Sequence, residues 1–262
     1  MTQNPFDTAI ELPEYLSASQ TEAISRMKYA ISHNGLGVLT GEIGSGKSTV
    51  LRRLCTAAEA ENTRFVYICR TSIAPKELYL ELLNAYSLNA GALLAKIKGC
   101  WESHLENLLL DKEKLIVVID EAHELPPATL LELRFLMNYR MDLEAPFPII
   151  LAGQPRLRTE LRKQAYEAIS QRVMMQYHIG MMTAEDTAGY IGSRMDALKL
   201  TSPLFSESAI TFIHASSNGI TRVVNQICRH AFFSASNTGS QVIEEKHIAA
   251  VLADMDLQRG IA

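Results

Sequence analysis

Residues 36–48 read Leu-Gly-Val-Leu-Thr-Gly-Glu-Ile-Gly-Ser-Gly-Lys-Ser, and this stretch decides the fold. The part from Gly41 to Ser48 fits the pattern G-x-x-x-x-G-K-[ST], which binds phosphate when it follows a strand and opens a helix. The apolar residues before it predict a strand, and the pattern from Lys47 to Ala60 predicts a helix. A glycine-rich turn without a ligand is the alternative, but it leaves the lysine and the following hydroxyl unexplained.

Each residue type in this loop has a physical reason. Glycines permit positive φ and let backbone N–H groups converge on an anion, and the helix N-terminus adds partial positive charge. Lys47 is expected to reach the β- and γ-phosphates, Ser48 to ligate Mg²⁺ and Thr49 to contact the α-phosphate. The other predicted nucleotide-binding positions are Gly41, Glu42, Gly44, Ser45 and Gly46.

Short apolar runs recur along the first two thirds of the chain. Each has about five residues, many of them β-branched, without polar alternation, which is typical of strands buried on both faces of a parallel sheet. They occupy residues 36–40, 65–69, 115–119 and 148–152, with a weaker run at 175–179. Helical patterns lie between them at 47–60, 76–88, 92–110 and 127–139. The alternation predicts an α/β fold with a five-stranded parallel sheet.

After Gly180 the strand-like runs stop. Helical patterns follow caps at Thr183 and Ser206, and further ones run over 221–236 and 244–255 after a break at Asn218-Gly219. We therefore divide the chain into three parts. These are an N-terminal segment (1–30) expected to pack near the nucleotide, an α/β nucleotide-binding domain (31–180) and a small all-helical domain (181–262).

Polar residues follow two of the predicted strands. Asp120 and Glu121 end the run 115–119, where an aspartate is placed to hold Mg²⁺ and the glutamate to polarise an attacking water. Gln154 follows the run 148–152 and is placed to sense the γ-phosphate, because ligands sit at the carboxyl ends of such strands. The alternatives are a solvated strand end for the carboxylates and a turn-forming Gly-Gln for Gln154.

Composition excludes several classes of protein. The 262 residues are 47% apolar and 21% charged, which is typical of a globular chain rather than a disordered one. The net charge is −4, so any DNA contact has to come from a local patch. No apolar run reaches the roughly 18 residues of a membrane span, and the N-terminus lacks the pattern of a secretory signal. We expect a cytoplasmic protein without a membrane partner.

The whole pattern resembles an AAA+ ATPase, and more closely the ExeA-like group, which is similar to the TnsC- and MuB-type ATPases of DNA transposition. The resemblance covers nearly the entire chain. It rests on Y-L-S-A-S-Q-x-E-A at 15–23, T-G-E-I-G-S-G-K-S-T at 40–49, I-D-E-A-H-E-L at 119–125, L-R-F-L-M-N at 133–138, I-L-A-G-Q-P-x-L at 150–157, Q-R at 171–172 and G-I-T-R-x-V-N at 219–225. The chain departs from the family's pattern at two places: the usual start F-x-x-x-P-F is reduced to N-P-F at 4–6, and the usual G-I-P-R has threonine at Thr221. Neither departure changes a predicted phosphate ligand, although we expect Thr221 to loosen the start of the lid helix.

This resemblance implies an AAA+ P-loop NTPase fold with a helical lid, and ATP and Mg²⁺ as ligands. It places Arg222 at the position where a lid arginine contacts the nucleotide in cis. It places Arg172 near the position of the arginine finger, which completes the site of a neighbouring subunit and makes hydrolysis depend on a ring or helical filament of the chain. A surface salt bridge is the alternative for Arg172, because other arginines lie close in sequence.

Double-stranded DNA is a predicted partner, through phosphate contacts rather than base reading. In AAA+ proteins that encircle a duplex, loops near the second strand face the channel, so the candidate contacts are Arg70, Thr71, Lys76, Lys96 and Lys98. Residues 151–180, with five basic against two acidic side chains, form a second candidate. Ordinary solvated helix faces are the alternative. No sequence-reading motif occurs, so binding is expected to be non-specific.

Three functions fit the sequence. The first is an ATP-dependent DNA-binding regulator of transposition, which oligomerises on duplex DNA and recruits a transposase or target-selection protein. The second is an ATPase of envelope or secretion assembly, since the ExeA-like group includes such proteins; those continue into a membrane span and a peptidoglycan-binding module, so we expect the stand-alone regulator instead. The third, a scaffold with negligible turnover, is disfavoured by Asp120 and Glu121.

Overall fold

The computed structural model describes residues 4–7, 15–70, 72–138, 145–196 and 204–258. The chain forms two compact units. We call Glu22–Glu42 with Lys47–Ile179 the sheet unit, and Met1–Thr21 with Ile43–Gly46 and Gly180–Ala262 the helical unit. The middle of the phosphate loop and the N-terminal residues thus group with the helical unit, which a division of the sequence into consecutive segments did not anticipate.

The sheet unit is built on a five-stranded parallel sheet, as the sequence predicted. Its strands are β1 (Leu36–Gly41), β2 (Arg64–Ile68), β3 (Leu115–Ile119), β4 (Ile149–Gly153) and β5 (Val173–Ile179). Their order in space is β2-β3-β4-β1-β5. The three inner strands are buried throughout, whereas β2 and β5 are partly exposed because each has a neighbour on one side only.

Helices cover both faces of this sheet. They are α1 (Ala18–Ser32), α2 (Lys47–Ala60), α3 (Pro75–Asn84), α4 (Leu94–Leu110), α5 (Pro127–Leu136), α6 (Arg156–Leu161) and α7 (Glu167–Ser170). Successive strand residues point to opposite faces, so Val117 joins the core under α3, α4 and α5, whereas Val118 joins the core under α1 and α2. Helix α1 was not predicted, and α5 ends at Leu136, before the predicted Tyr139, which lies outside the described residues.

The helical unit contains α8 (Ala184–Asp196), α9 (Glu207–Ser217), α10 (Thr221–Thr238) and α11 (Glu245–Gln258) around its own apolar core. The predicted caps are present: Thr183 Oγ1 accepts a hydrogen bond from the Asp186 N–H at 3.0 Å, and Ser206 Oγ accepts one from the Ala209 N–H at 3.2 Å. Among the described residues, we find no helix with the length and apolarity that a membrane crossing requires.

Candidate nucleotide-binding site

The phosphate loop joins the end of β1 to the start of α2, as its pattern requires. Gly44 and Gly46 have φ values of +84° and +96°, a region that other residues rarely adopt. A Cβ on Gly46 would lie 2.0 Å from Gln20 Nε2, an atom 3.4 Å from the Ser45 carbonyl to which it donates. Gln20 is thus buried against this loop, and the packing of the N-terminal segment near a nucleotide stays a prediction.

Lys47 is buried at the first position of α2. Its ammonium group donates to the carbonyls of Gly41 at 2.8 Å and Glu42 at 3.0 Å. Ser48 is exposed and Thr49 half-buried in the same first turn, where backbone N–H groups lack helical partners. The loop thus offers the positive charge, the hydroxyl groups and the N–H donors that a phosphate chain with its metal ion needs.

Asp120 lies directly after β3 and is 8% exposed. Its Oδ2 accepts a hydrogen bond from the Tyr67 hydroxyl at 2.6 Å, and its Oδ1 accepts one from the Glu121 N–H at 2.8 Å. Burial and the neighbouring Asp120 carboxylate raise the pKa of Tyr67, so this hydroxyl stays a donor. The two contacts fix the orientation of the Asp120 carboxylate, as hydrogen bonds to metal-binding carboxylates commonly do. Tyr67 was missed by sequence reasoning, because nothing in the run 65–69 marks its outward position beside β3.

Glu121 has a left-handed backbone, with φ at 50° and ψ at 33°. For a residue other than glycine this conformation costs about 1–2 kcal/mol, and such costs concentrate at functional sites. Its Oε2 atom is buried and accepts no hydrogen bond, although the side chain as a whole is 45% exposed. The structure therefore presents a carboxylate with an unsatisfied oxygen next to Asp120.

The strand order places Gln154 between the phosphate loop and the carboxylate pair. Strand β4 lies between β1 and β3, so its carboxyl end, Gly153-Gln154, lies between the start of the phosphate loop and the carboxylate pair. Gln154 is half-buried, and its backbone N–H donates to His123 Nδ1 at 3.2 Å. The place of His123 directly after the carboxylate pair predicts a surface or hinge residue, with a role near the γ-phosphate as the alternative, but its side chain is 2% exposed.

The two predicted arginines occupy different surroundings. Arg222 is exposed in the first turn of α10, and a Cβ on Gly44 would lie 3.0 Å from the Arg222 Cβ, so this arginine borders the middle of the phosphate loop. Arg172 lies immediately before β5, and its guanidinium donates to the Ala168 carbonyl at 2.7 Å. That contact caps the short helix α7, and the trans role of Arg172 stays a prediction.

The predicted DNA contacts do not form one uniform patch. Lys76 and Lys96 are exposed, and Thr71 lies outside the described residues. Arg70 is exposed but pairs with Glu81 at 2.8 Å. Lys98 is only partly exposed, and its ammonium lies 2.5 Å from the Glu132 carboxylate.

Lys98 has a structural explanation that its sequence position did not reveal. The Glu132 side chain is 11% exposed and also accepts a hydrogen bond from the Tyr79 hydroxyl at 2.8 Å. Burial and this carboxylate raise the pKa of Tyr79, which keeps the hydroxyl protonated. Lys98 therefore neutralises a buried acid, and its role as a DNA contact remains a prediction.

Together these residues fit ATP and magnesium. Lys47 carries buried positive charge, Ser48 and Asp120 carry oxygen atoms of the kind that magnesium prefers, and Glu121 carries a carboxylate on a side chain that is 45% exposed; the role of each residue stays a prediction. A parallel sheet with this strand order, phosphate loop and carboxylate pair defines a P-loop ATPase of the AAA+ class.

Comparisons with known proteins agree with that class. A family model described as "AAA domain" matches residues 29–161, and the chain therefore belongs to the AAA domain family. General secretion pathway protein A of Aeromonas hydrophila is 30% identical over 248 residues, which is 93% of this chain and 45% of that protein. The chain thus spans less than half the length of this curated relative, whose similarity supports the predicted ExeA-like group. Similarity to the TnsC and MuB type stays a prediction.

Solved structures share the fold. The ORC2 protein of Aeropyrum pernix, in ADPNP–ADP complexes, matches with a TM-score of 0.69 and 17% identity, over 96% of this chain and 71% of that one. The ORC1 protein of the same organism, in complex with DNA, matches with a TM-score of 0.65 and 16% identity, over 95% and 68%. At these identities the likeness establishes the fold alone.

Proposed function

We propose that the chain couples ATP binding and hydrolysis, through the residues at the carboxyl edge of its sheet, to its own assembly. Lys47 exchanges its contacts with loop carbonyls for phosphate oxygens, which carry full negative charge. Ser48 and Asp120 hold magnesium, which neutralises phosphate charge when it is bound. Glu121 accepts the proton of the attacking water. The observation that carries this proposal is the strand order, which places the buried Lys47 after β1 and the hydrogen-bonded Asp120 after β3, with the end of β4 between them.

Arginines connect this chemistry to assembly. Arg222, beside Gly44, contacts the nucleotide of its own subunit, and Arg172 reaches the nucleotide of a neighbouring subunit. An arginine suits both tasks because its planar guanidinium stays charged and binds phosphate at two points. A finger supplied in trans can raise turnover by about 10³-fold or more, so isolated subunits hydrolyse ATP slowly and persist in the bound state.

Duplex DNA is the first candidate platform for this assembly. It is supported by the family resemblance to transposition ATPases, by the exposed Lys76 and Lys96, and by the likeness in fold to an ORC1 protein that was solved with DNA. Repetition of two lysines along an oligomer allows an acidic subunit to bind phosphates at many points. In this function the assembly recruits a transposase or a target-selection protein.

An ATPase of envelope or secretion assembly is the second candidate. The observation that favours it is the 30% identity to General secretion pathway protein A over 93% of this chain. The nucleotide site would do the same chemistry, while the assembly would act on components of the secretion system rather than on DNA.

Electron microscopy with ATP and magnesium, with and without duplex DNA at low salt, separates the candidates. Ordered rings or filaments on DNA support the first candidate, whereas assemblies that ignore DNA and co-sediment with cell-wall fragments support the second. The variant Lys76→Glu with Lys96→Glu should weaken DNA binding. A charge-matched control, Lys112→Glu with Lys114→Glu, changes exposed lysines before the amino end of β3 and should not.

The nucleotide site has its own test. Lys47→Ala should abolish nucleotide binding, whereas Glu121→Gln should keep binding and trap the assembled state. Arg172→Ala should lower turnover only in assemblies, with the nucleotide affinity of the monomer unchanged. Normal turnover by Glu121→Gln would refute its role, and loss of monomer affinity in Arg172→Ala would refute the trans role.

A further inference from the structure

His123 lies in the 3₁₀ turn Ala122–Glu124, directly after the carboxylate pair, and its side chain is 2% exposed. Its Nδ1 atom meets two groups. The Gln154 N–H donates to it at 3.2 Å, and Glu121 Oε2 lies 3.3 Å from it. One ring nitrogen thus faces both the end of β4 and the carboxylate to which we assign the attacking water.

These contacts determine where the ring proton lies. A nitrogen that accepts the Gln154 N–H carries no proton, so in a neutral ring the proton is on Nε2. That atom lies 3.4 Å from Glu124 Oε1, and Glu124 is paired with Arg156. Both ring nitrogens thus face a carboxylate, and the Gln154 N–H, which donates to Nδ1, is the contact that assigns the proton to Nε2.

The same arrangement leaves Glu121 Oε2 without a hydrogen bond. This atom faces the lone pair of Nδ1 with no proton between them, which agrees with the absence of a hydrogen bond to this oxygen. Burial and the positive charges of Arg156 and Lys47 lower the pKa of His123, against the opposing effects of Glu121 and Asp120. The ring is consequently neutral near pH 7, and it does not hold the carboxylate in an ion pair.

The end of β4 packs closely against His123 at Gly153. A Cβ on Gly153 would lie 3.1 Å from His123 Nδ1 and 3.2 Å from the His123 backbone nitrogen. A larger residue at position 153 would therefore push the His123 ring or its turn by a few tenths of an ångström. The end of β4 and the ring are in close contact, and the hydrogen bond from the Gln154 N–H joins them directly.

We propose that His123 is a positioning residue that couples the end of β4 to the hydrolytic carboxylate. While Nδ1 accepts the Gln154 N–H, it has no proton to donate to Glu121, so no hydrogen bond from the ring prevents the carboxylate from turning toward the attacking water. When Gln154 withdraws its N–H, Nδ1 can carry a proton and hold Glu121 away from water. This inference rests on the proposed ATPase chemistry of Glu121, and it assigns the control of that residue.

Three variants of the 262-residue chain separate the two ring nitrogens. His123→Asn places an amide oxygen near the Nδ1 position and keeps an acceptor for Gln154, whereas His123→Gln reaches toward the Nε2 position, and His123→Phe fills the space without an acceptor. We expect the Phe and Gln variants to lower kcat by about 10–100-fold with KM for ATP changed less than about threefold, and the Asn variant to retain activity within about fivefold of the wild type.

Gly153→Ala provides an independent perturbation of the same link. The added methyl group presses on the His123 ring and turn, so it should lower kcat while affinity for fluorescent ADP stays unchanged. Activity of the Gln variant with loss in the Asn variant would overturn the proposal, because it would assign the effect to Nε2. Unchanged kcat in all three His123 variants would overturn it as well.

A measurement that needs no turnover distinguishes this inference from the proposed function. Nitrogen-15 spectra of histidine-labelled protein, with the His123 signal assigned by its loss in His123→Asn, report the tautomer. We expect a bare Nδ1 and a protonated Nε2 at neutral pH. A proton on Nδ1 would overturn the proposal even if ATP is hydrolysed, whereas a wild-type chain without ATPase activity would overturn the proposed function and leave this readout intact.

Discussion

Replacing Gly219 by alanine should destabilise the start of α10. Gly219 has φ at +70°, and an added Cβ would lie 2.1 Å from the Met182 carbonyl oxygen, so backbone has to move by about an ångström. The left-handed conformation costs alanine about 1 kcal/mol. Loss of the 3.0 Å hydrogen bond from the Met182 N–H to the Gly219 carbonyl adds about 1–3 kcal/mol. We expect the free energy of unfolding to fall by about 3 kcal/mol in total.

Gly239 provides the matched control. It ends α10 with φ at +69°, and no heavy atom lies within 4 Å of an added Cβ, so Gly239→Ala should show only the backbone cost of about 1 kcal/mol. Urea unfolding followed by circular dichroism measures both variants. The fluorescence of Trp101, which is buried in the sheet unit, reports that unit separately and should change less for Gly219→Ala. Equal losses of stability in the two variants would refute the reasoning from the close contact.

Three further changes test other parts of the structure. Thr221→Pro should raise the free energy of unfolding by about 0.5–1 kcal/mol, because position 221 is the first of α10 and the residue before it is extended at φ −74° and ψ 109°. The change also removes a buried hydroxyl that has no hydrogen-bond partner, and a lower Tm would contradict this expectation. Lys98→Met should lower the free energy of unfolding by about 1–3 kcal/mol, because it removes the cation that pairs with the buried Glu132 carboxylate. The double variant with Glu132→Gln should recover part of this loss in thermal unfolding. An unchanged Tm in Lys98→Met would show that the ion pair does not stabilise the fold. Tyr67→Phe should weaken magnesium-dependent binding of fluorescent ADP by about tenfold and leave magnesium-free binding unchanged, since the hydroxyl orients Asp120; equal affinities with magnesium would reject that role.

Much of the fold could be predicted because the relevant patterns are local. Five short apolar runs predict the strands of a buried parallel sheet. Thr183 and Ser206 cap helices through hydrogen bonds to residues only three positions away. Helix α1 was missed although its buried residues Ala23, Met27 and Ala30 lie four and three positions apart, as on one face of a helix. The order of the strands could not be predicted from these runs either, since an apolar run indicates that a strand is buried but not which strand lies beside it.

The candidate site also has a part that the sequence predicts and a part that depends on tertiary packing. The phosphate loop is recognisable because eight consecutive residues carry its glycines, lysine and hydroxyl, and its chemistry lies in their own backbone. The partners of the carboxylates are different. Tyr67 meets Asp120 across 53 positions of sequence, and Gln154 meets His123 across 31, so only the packing of neighbouring strands brings them together.

The sequence by itself thus determined the class of the protein, its nucleotide loop and the identity of the two acidic residues, because those features depend on short-range order along the chain. Tertiary structure alone decided that Lys98 neutralises a buried acid and that His123 stands between Gln154 and Glu121. Hydrogen bonds and ion pairs act over a few ångströms of space, and the distance along the chain between two such groups does not reveal whether they meet.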